Sequence, residues 1–220
     1  MPDMPPPVVN PARHPAQAWF ESPHGLALLG SEQPQVEAAM RARPAQKWLW
    51  LAPLADASGA ACAEGECHSP ATEDWDLPQR FATPLPMPAE SVGMVVLQHV
   101  LDGAWDPALL EECRRVLVAG GQLWLFALNP LAPYRWNWRG TGLGGTEPVV
   151  WRRRLRQAGF QAEPVSLGLG PRWSPLVDET LQSGAGIRAA YLLRAGKRSP
   201  GLTPIRPGHR QPLRPLAVPA

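Results

Sequence analysis

The sequence predicts an α/β fold built on a parallel β-sheet, and three neighbouring stretches carry this prediction. Residues 92–97 are apolar and largely β-branched, contain no proline, and have the length of a buried strand. Residues 122–128 form a second apolar run, which ends at Asn129-Pro130. The stretch between the two runs has the apolar spacing of a helix. A strand, a helix and a strand in this order are typical of a βαβ unit in a parallel sheet.

The connecting helix has signals at both ends. Asp106 is a favourable N-cap, and Pro107 suits the first helical position, where its missing N–H has no consequence. Gly120-Gly121 predicts the end of the helix, because a positive φ is needed there. The apolar residues of the buried face are Leu109, Leu110, Cys113, Val116 and Leu117.

The flanking elements follow from the same kinds of signal. A helix should begin near Ser22-Pro23, stop before Pro34, and be followed by a second helix over residues 35–43. Residues 47–52 predict the first strand. A helix from Glu147-Pro148 to Ala158 should end at Gly159. The last two strands are expected at residues 161–167 and 187–194.

Composition favours one domain in a chain of 220 residues. The chain has 28 prolines, and many lie near its two ends, which predicts disorder at 1–16 and 197–220 and a domain at 17–196. A net charge of +2 argues against nucleic acid as a partner. Apolar runs are too short to span a bilayer, and residues 1–15 lack the apolar core of a signal peptide. We therefore expect a cytoplasmic protein without a membrane partner.

The three cysteines do not predict a metal site or a disulfide framework. Cys62, Cys67 and His68 have the wrong spacing for a zinc hook, and no second cluster completes four ligands. Cys113 lies on the apolar face of its helix and is expected to pack there.

Several short motifs follow one another between Leu85 and Pro130. They are Leu85-Pro86-Met87, Glu90-Ser91-Val92, Val95-Val96, His99-Val100-Leu101-Asp102, Asp106-Pro107, Arg115-Val116-Leu117 and Gly120-Gly121. This order resembles the second half of a class I S-adenosylmethionine (SAM)-dependent methyltransferase domain of the methyltransferase type 11 kind. Residues 19–29, WFESPHGLALL, are similar to a segment before the first strand of short bacterial members. The resemblance implies a Rossmann-like sheet, mostly parallel with an antiparallel final strand, and helices on both faces.

The resemblance also implies SAM as the cofactor and points to its binding residues. In the family a G-x-G-x-G loop follows the first strand, because a Cβ there would collide with the cofactor. Here residues 52–59 read APLADASG, a degenerate loop in which only Gly59 remains. By position, Ala52, Asp56 and Gly59 would face SAM; a plain surface turn is the alternative. Positions after the family's fourth strand also line the cofactor, and here these are Gln98, His99 and Val100.

Each of the other candidate residues also has a purely structural alternative. His99 is a candidate catalytic base at the mouth of the site, or a residue that caps the strand. One of Glu73, Asp74 and Asp76 would bind the SAM ribose, or all three belong to a solvated loop. The aromatic and basic residues 131–139 either line an acceptor pocket or cover the edge of the domain.

Three functional hypotheses follow. The first is a SAM-dependent methyltransferase with an unknown small-molecule or protein acceptor. The second is a methyltransferase-like binding or scaffold protein that has lost SAM, with a protein partner bound through the C-terminal tail; the degenerate loop favours it. The third is another α/β enzyme, such as a dinucleotide binder, which would lack the same glycine loop.

Overall fold

The computed structural model describes residues 14–43, 45–54, 65–68, 83–103 and 105–198. Within these residues, eight strands form one sheet. They are β1 Trp48–Leu51, β2 Gly65–His68, β3 Val92–Gln98, β4 Leu117–Leu128, β5 Phe160–Ala162, β6 Leu167–Leu169, β7 Gln182–Ser183 and β8 Ala190–Lys197.

The strand order is β2-β1-β3-β4-β8-β6-β7, and β5 pairs with β8 beside β6. β2, β1, β3 and β4 are parallel to one another, whereas β8 is antiparallel to β4. β8 lies between β4 on one side and the short strands β5 and β6 on the other. This arrangement confirms the predicted fold class, with a parallel set of strands and an antiparallel final strand.

Helices cover both faces of the sheet. They are α1 Pro15–Phe20, α2 Pro23–Arg41, α3 Pro107–Val116 and α4 Pro148–Gln157. Side chains of successive strand residues point to opposite faces, so each strand contributes to two cores. Trp50 packs in the core with α1 and α2, and its neighbour Leu51 packs in the core with α3 and α4.

The βαβ unit differs from the prediction at one boundary. α3 begins after the Asp106 N-cap as predicted, with Asp106 Oδ1 accepting from the Ala108 N–H at 2.9 Å. It ends at Val116, before the glycine pair. Gly120 does adopt a positive φ of 69°, but within β4, where the pairing register with β3 shifts. The glycine therefore accommodates an irregularity in a strand and does not end the helix.

α2 is one continuous helix of 19 residues, so the predicted break at Pro34 was wrong. A proline inside a helix removes one hydrogen bond and disturbs the preceding turn. Here Leu28, Glu32 and Val36 lie four residues apart and are all fully buried. Packing of this face on the sheet outweighs the local cost of the proline.

β2 was not predicted, because residues 65–68 lack the alternation and β-branched content of a strand. Its place is determined by parallel pairing with β1. The strand expected at 161–167 is interrupted and forms β5 and β6. Most of the two termini predicted to be disordered lies outside the described residues, and the domain limits of 17 and 196 stay a prediction.

Within the described ranges, no helix is long and apolar enough to cross a membrane.

Replacing Trp151 of α4 by Ala should lower the free energy of unfolding by about 3–5 kcal/mol. Trp151 is fully buried in the core between the sheet and helices α3 and α4. Urea unfolding followed by circular dichroism measures the loss. The matched control is Val149→Ala on the same helix, where the side chain is 59% exposed. The control should change stability by no more than about 0.5 kcal/mol; equal losses in both variants would contradict this account of the core.

Candidate functional site

The candidate site lies where the parallel strands end, an edge that we call the carboxyl edge. Ala52 follows β1, His99 follows β3 and Asn129 follows β4. The register of β1 and β3 pairs Leu51 with Leu97, which brings Ala52 beside Gln98. Open α/β sheets bind ligands at this edge. The structure therefore gathers four of the predicted cofactor residues, namely Ala52, Gln98, His99 and Val100.

Gln98 joins the sheet to α2. The two-residue period of β3 directs Gln98 to the same face as Val96, towards α2. Its Oε1 accepts from Trp50 Nε1 at 3.1 Å, and its Nε2 donates to Glu32 Oε2 at 2.7 Å. Gln98 and Glu32 are both buried. Both ends of the Gln98 amide are thus bonded to the protein.

His99 lies between two carboxylates. Its Nδ1 is 2.7 Å from Asp102 Oδ2, and its Nε2 is 2.9 Å from Glu32 Oε1. The Phe20 ring of α1 covers the imidazole at a centroid distance of 5.4 Å. The imidazole and the Glu32 carboxylate are fully buried. We call Glu32, Gln98, His99 and Asp102 the buried network.

The backbone around His99 is held by the same contacts. His99 has a φ of 56°, which is uncommon for a residue with a Cβ. Its N–H donates to the Phe126 carbonyl at 3.1 Å, and Asp102 Oδ2 accepts from the Leu128 N–H at 2.9 Å. The network therefore fixes the turn after β3 against the end of β4.

Electrostatics favour a protonated imidazole. Burial lowers the pKa of His99, but the negative charge of Glu32 and the hydrogen bonds to Asp102 and Glu32 outweigh it and raise the pKa to about 10. With both carboxylates ionised, the network has two negative charges and one positive charge, a net charge of −1. A buried group of this kind is costly to break, because removal of one partner leaves an uncompensated charge.

Glu32 and Asp102 contact different ring nitrogens of His99, so the possible metal ligands of the network do not point at one common position. Among the residues that the structure describes, no group of three His, Cys, Asp or Glu could hold a metal ion.

Cys113 is buried in the core between the sheet and helices α3 and α4, as its helical position predicts. Burial raises the pKa of its thiol well above the usual range.

The placement of the remaining predicted site residues is mixed. Asp56, Gly59 and the acidic candidates Glu73, Asp74 and Asp76 lie outside the described residues. His99, the candidate base, has both ring nitrogens against carboxylates and is fully buried. Its role as a base stays a prediction.

Two members of the network were missed at the sequence level. Asp102 stood inside a motif, but only its spacing of three residues from His99 hinted at a contact. Glu32 had a clearer signal, because it lies four residues from both Leu28 and Val36 on the apolar face of α2. A carboxylate in such a row is expected to have a buried partner.

The aromatic and basic segment after β4 covers the carboxyl edge. Residues Pro133–Asn137 form a 3-10 helix. Tyr134 is buried, and its hydroxyl donates to the His24 carbonyl at 3.1 Å. Trp138 packs edge-on against Trp19 of α1 at 5.6 Å. Part of the segment thus covers the edge of the domain, as one of the two alternatives predicted.

Stability should depend on pH through His99. The folded-state pKa of about 10 lies above the unfolded value of 6.5, so the contribution of His99 is complete below pH 6.5 and is lost as the pH rises through 10. The free energy of unfolding should fall by about 1.4 kcal/mol per pH unit inside this window. Urea unfolding at several pH values measures the slope.

The control for this titration is His99→Gln, which cannot take up the proton. It should be less stable at pH 6 by about 3–5 kcal/mol, because two buried carboxylates lose their partner. Cys113 and the tyrosines titrate in both proteins, so the difference between the two profiles isolates His99. Parallel profiles would show that His99 is neutral in the folded chain.

Comparison with known proteins supports the architecture. No family model and no curated protein matches the chain by sequence. Solved structures do match in three dimensions. A SAM-dependent methyltransferase from Thermotoga maritima aligns with a TM-score of 0.55 and 17% identity over 83% of this chain and 94% of its own. A SAM-dependent methyltransferase from Aquifex aeolicus aligns with a TM-score of 0.54 and 13% identity over 83% and 97%.

A third neighbour has a bound cofactor product. The trans-methyltransferase CalH, solved with S-adenosylhomocysteine (SAH), aligns with a TM-score of 0.51 and 14% identity. The alignment covers 80% of this chain and 59% of CalH, so the chain spans about three fifths of that protein. At these identities the likeness concerns the fold. The chain has the fold of the class I SAM-dependent methyltransferases.

Proposed function

We propose that the protein is a SAM-dependent methyltransferase that acts on an acceptor of unidentified class. The observation that carries the proposal is the gathering of Ala52, Gln98, His99 and Val100 at the carboxyl edge of a methyltransferase fold. In such sheets this edge is the usual ligand position. The type 11 assignment and the short bacterial subfamily remain part of the proposal and rest on the sequence motifs alone.

Two features of the described residues favour SAM. Ala52, although fully buried, has only a methyl side chain at the end of β1, so little bulk separates the backbone from a ligand at this edge. With both carboxylates ionised and His99 protonated, the buried network contributes a net charge of −1 at the same edge, which favours a cation over a neutral ligand. SAM, when bound, supplies a methyl group on a positively charged sulfonium. The loss of that charge in SAH predicts weaker binding of the product.

The network would act on the site by positioning. It holds the backbone at Gln98 and His99 in one conformation, and rigid walls align two bound reactants. His99 is a poor candidate to take a proton from an acceptor, because Glu32 and Asp102 already face its two nitrogens. Orientation of the acceptor towards the methyl group would then supply most of the rate enhancement.

A second candidate is a methyltransferase-like binding or scaffold protein without SAM. Its support is that Ala52, Gln98, His99 and Val100 are at most 4% exposed. Their polar groups are already bonded within the protein, and Ala52-Pro53-Leu54 stands where the family has a glycine loop. The Pro- and Arg-rich residues 199–220 would then contact a protein partner.

Calorimetry with SAM and SAH separates the two candidates. If the protein is a methyltransferase, SAM should bind with a dissociation constant near 1 μM, about 8 kcal/mol of binding free energy, and SAH more weakly. Absence of binding at millimolar SAM would contradict the methyltransferase proposal and favour the scaffold. A pull-down with and without residues 199–220 then tests for a protein partner.

The charge argument has its own test in Glu32→Gln. The substitution keeps the size of the side chain and removes one negative charge, so SAM affinity should fall roughly fivefold to tenfold, with a smaller change for SAH. The matched control is Glu37→Gln, because Glu37 lies on the same helix and forms an exposed pair with Arg41. Circular dichroism checks that both variants are folded. Equal losses for SAM and SAH would show that the charge of the network does not act on the ligand.

A further inference from the structure

Five large apolar side chains are more than half exposed in two segments at the carboxyl edge. We call them the edge patch. They are Leu131 and Trp136, which are 67% and 61% exposed, and Trp173, Leu176 and Val177, which are 67%, 70% and 56% exposed. Isolated exposed apolar residues are ordinary, but a group of them marks a contact surface.

The two segments are neighbours in space. Asn129, two residues before Leu131, donates its N–H to the Ala189 carbonyl at 2.9 Å. Ala189 in turn donates its N–H to the Pro171 carbonyl at 3.0 Å, and Pro171 lies two residues before Trp173. Adjacent strands are about 4.8 Å apart, so these two hydrogen bonds span roughly 10 Å.

The edge patch rests on a fixed support. The Asp178 N–H, next to Val177, donates to Ser31 Oγ of α2 at 2.9 Å. The buried Arg188 forms an ion pair with the Asp178 carboxylate and donates to the carbonyl of Gly170 at 3.0 Å. On the other segment, the buried Tyr134 and Trp138 hold the 3-10 helix that displays Trp136. The apolar groups are therefore displayed by an ordered framework.

Three arginines accompany the apolar groups. The guanidinium groups of Arg135 and Arg139 lie over the Trp136 ring, 5.6 Å and 5.1 Å from its centroid. Arg172 precedes Trp173 and is exposed. Among the described residues, none of the three has a carboxylate partner. Exposed Glu179 opposes them with one negative charge, so this surface is net positive.

We propose that the edge patch docks on the surface of an anionic lipid bilayer. Trp and aliphatic side chains enter the boundary between headgroups and acyl chains, and arginines bind lipid phosphates. Nucleic acid fits less well, because the guanidinium groups already cover the Trp136 ring on which a base would stack, and Leu131 and Leu176 offer nothing to a base. The sequence expectation of no membrane partner rested on spanning segments, which this mode of binding does not use.

Flotation of the full chain with lipid vesicles tests the inference. The test needs no SAM, so its result is independent of the proposed function. The protein should float with vesicles of phosphatidylcholine and phosphatidylglycerol, and float less with phosphatidylcholine alone or in high salt. Leu131→Ser with Trp136→Ser should weaken partitioning at least about tenfold. Arg135→Gln with Arg139→Gln should weaken it roughly tenfold for the anionic vesicles only.

Val165→Ser is the matched control, because Val165 is 49% exposed between β5 and β6, outside the edge patch. It should bind vesicles like the unchanged chain. The proposal is overturned if anionic vesicles do not bind the protein, or if the edge-patch variants bind as well as the control. It is also overturned if Leu131→Ser with Trp136→Ser instead dissociates a dimer in analytical ultracentrifugation, or abolishes binding to a single-stranded oligonucleotide while vesicle binding is unchanged.

Discussion

The ion pairs of the buried network are the contacts on which the carboxyl edge depends. One imidazole connects a helix, a strand end and a turn, because Glu32 comes from α2, His99 follows β3, and Asp102 also accepts from the end of β4. Because all three side chains are buried, loss of any one partner leaves an uncompensated charge and is costly. The fold thus places its most demanding electrostatic arrangement at the edge where open α/β sheets bind ligands. At that position the network holds the carboxyl edge rigid through its hydrogen bonds and places charged groups beside it.

The sequence predicted the fold well where the pattern was strong and local. The strand predicted at 92–97, the helix start at Asp106-Pro107 and the end of α4 before Gly159 follow from short-range signals that tertiary contacts reinforce. The failures have the opposite cause. α2 continues through Pro34 because a buried face holds it, and β2 forms because β1 pairs with it. Neither packing nor pairing is visible in a window of ten residues.

The sequence predicted the strand-end residues of the candidate site, but not the two carboxylates that contact them. Position after the strands identified Gln98, His99 and Val100, but Glu32, the carboxylate on α2 that contacts both Gln98 and His99, lies 66 and 67 residues away from them along the chain. Spacing along one helix placed Glu32 on the buried face, yet nothing in the sequence states that the buried face meets His99. The residues between β1 and β2, where the family resemblance expects the cofactor loop, were identified only by that resemblance.

The position of β8 has a consequence for how the chain acquires its structure during synthesis. β8 lies inside the sheet, with β4 on one side and β5 and β6 on the other, although it is the last strand in the part of the chain that the structure describes. Until residue 197 has left the ribosome, the β4 edge at residues 122–128 has no partner. Six of these seven residues are apolar. An apolar strand whose N–H and C=O groups are unpaired can form a β-sheet with another chain. Pairing of β8 with β4 is therefore the step that covers this edge and completes the middle of the sheet.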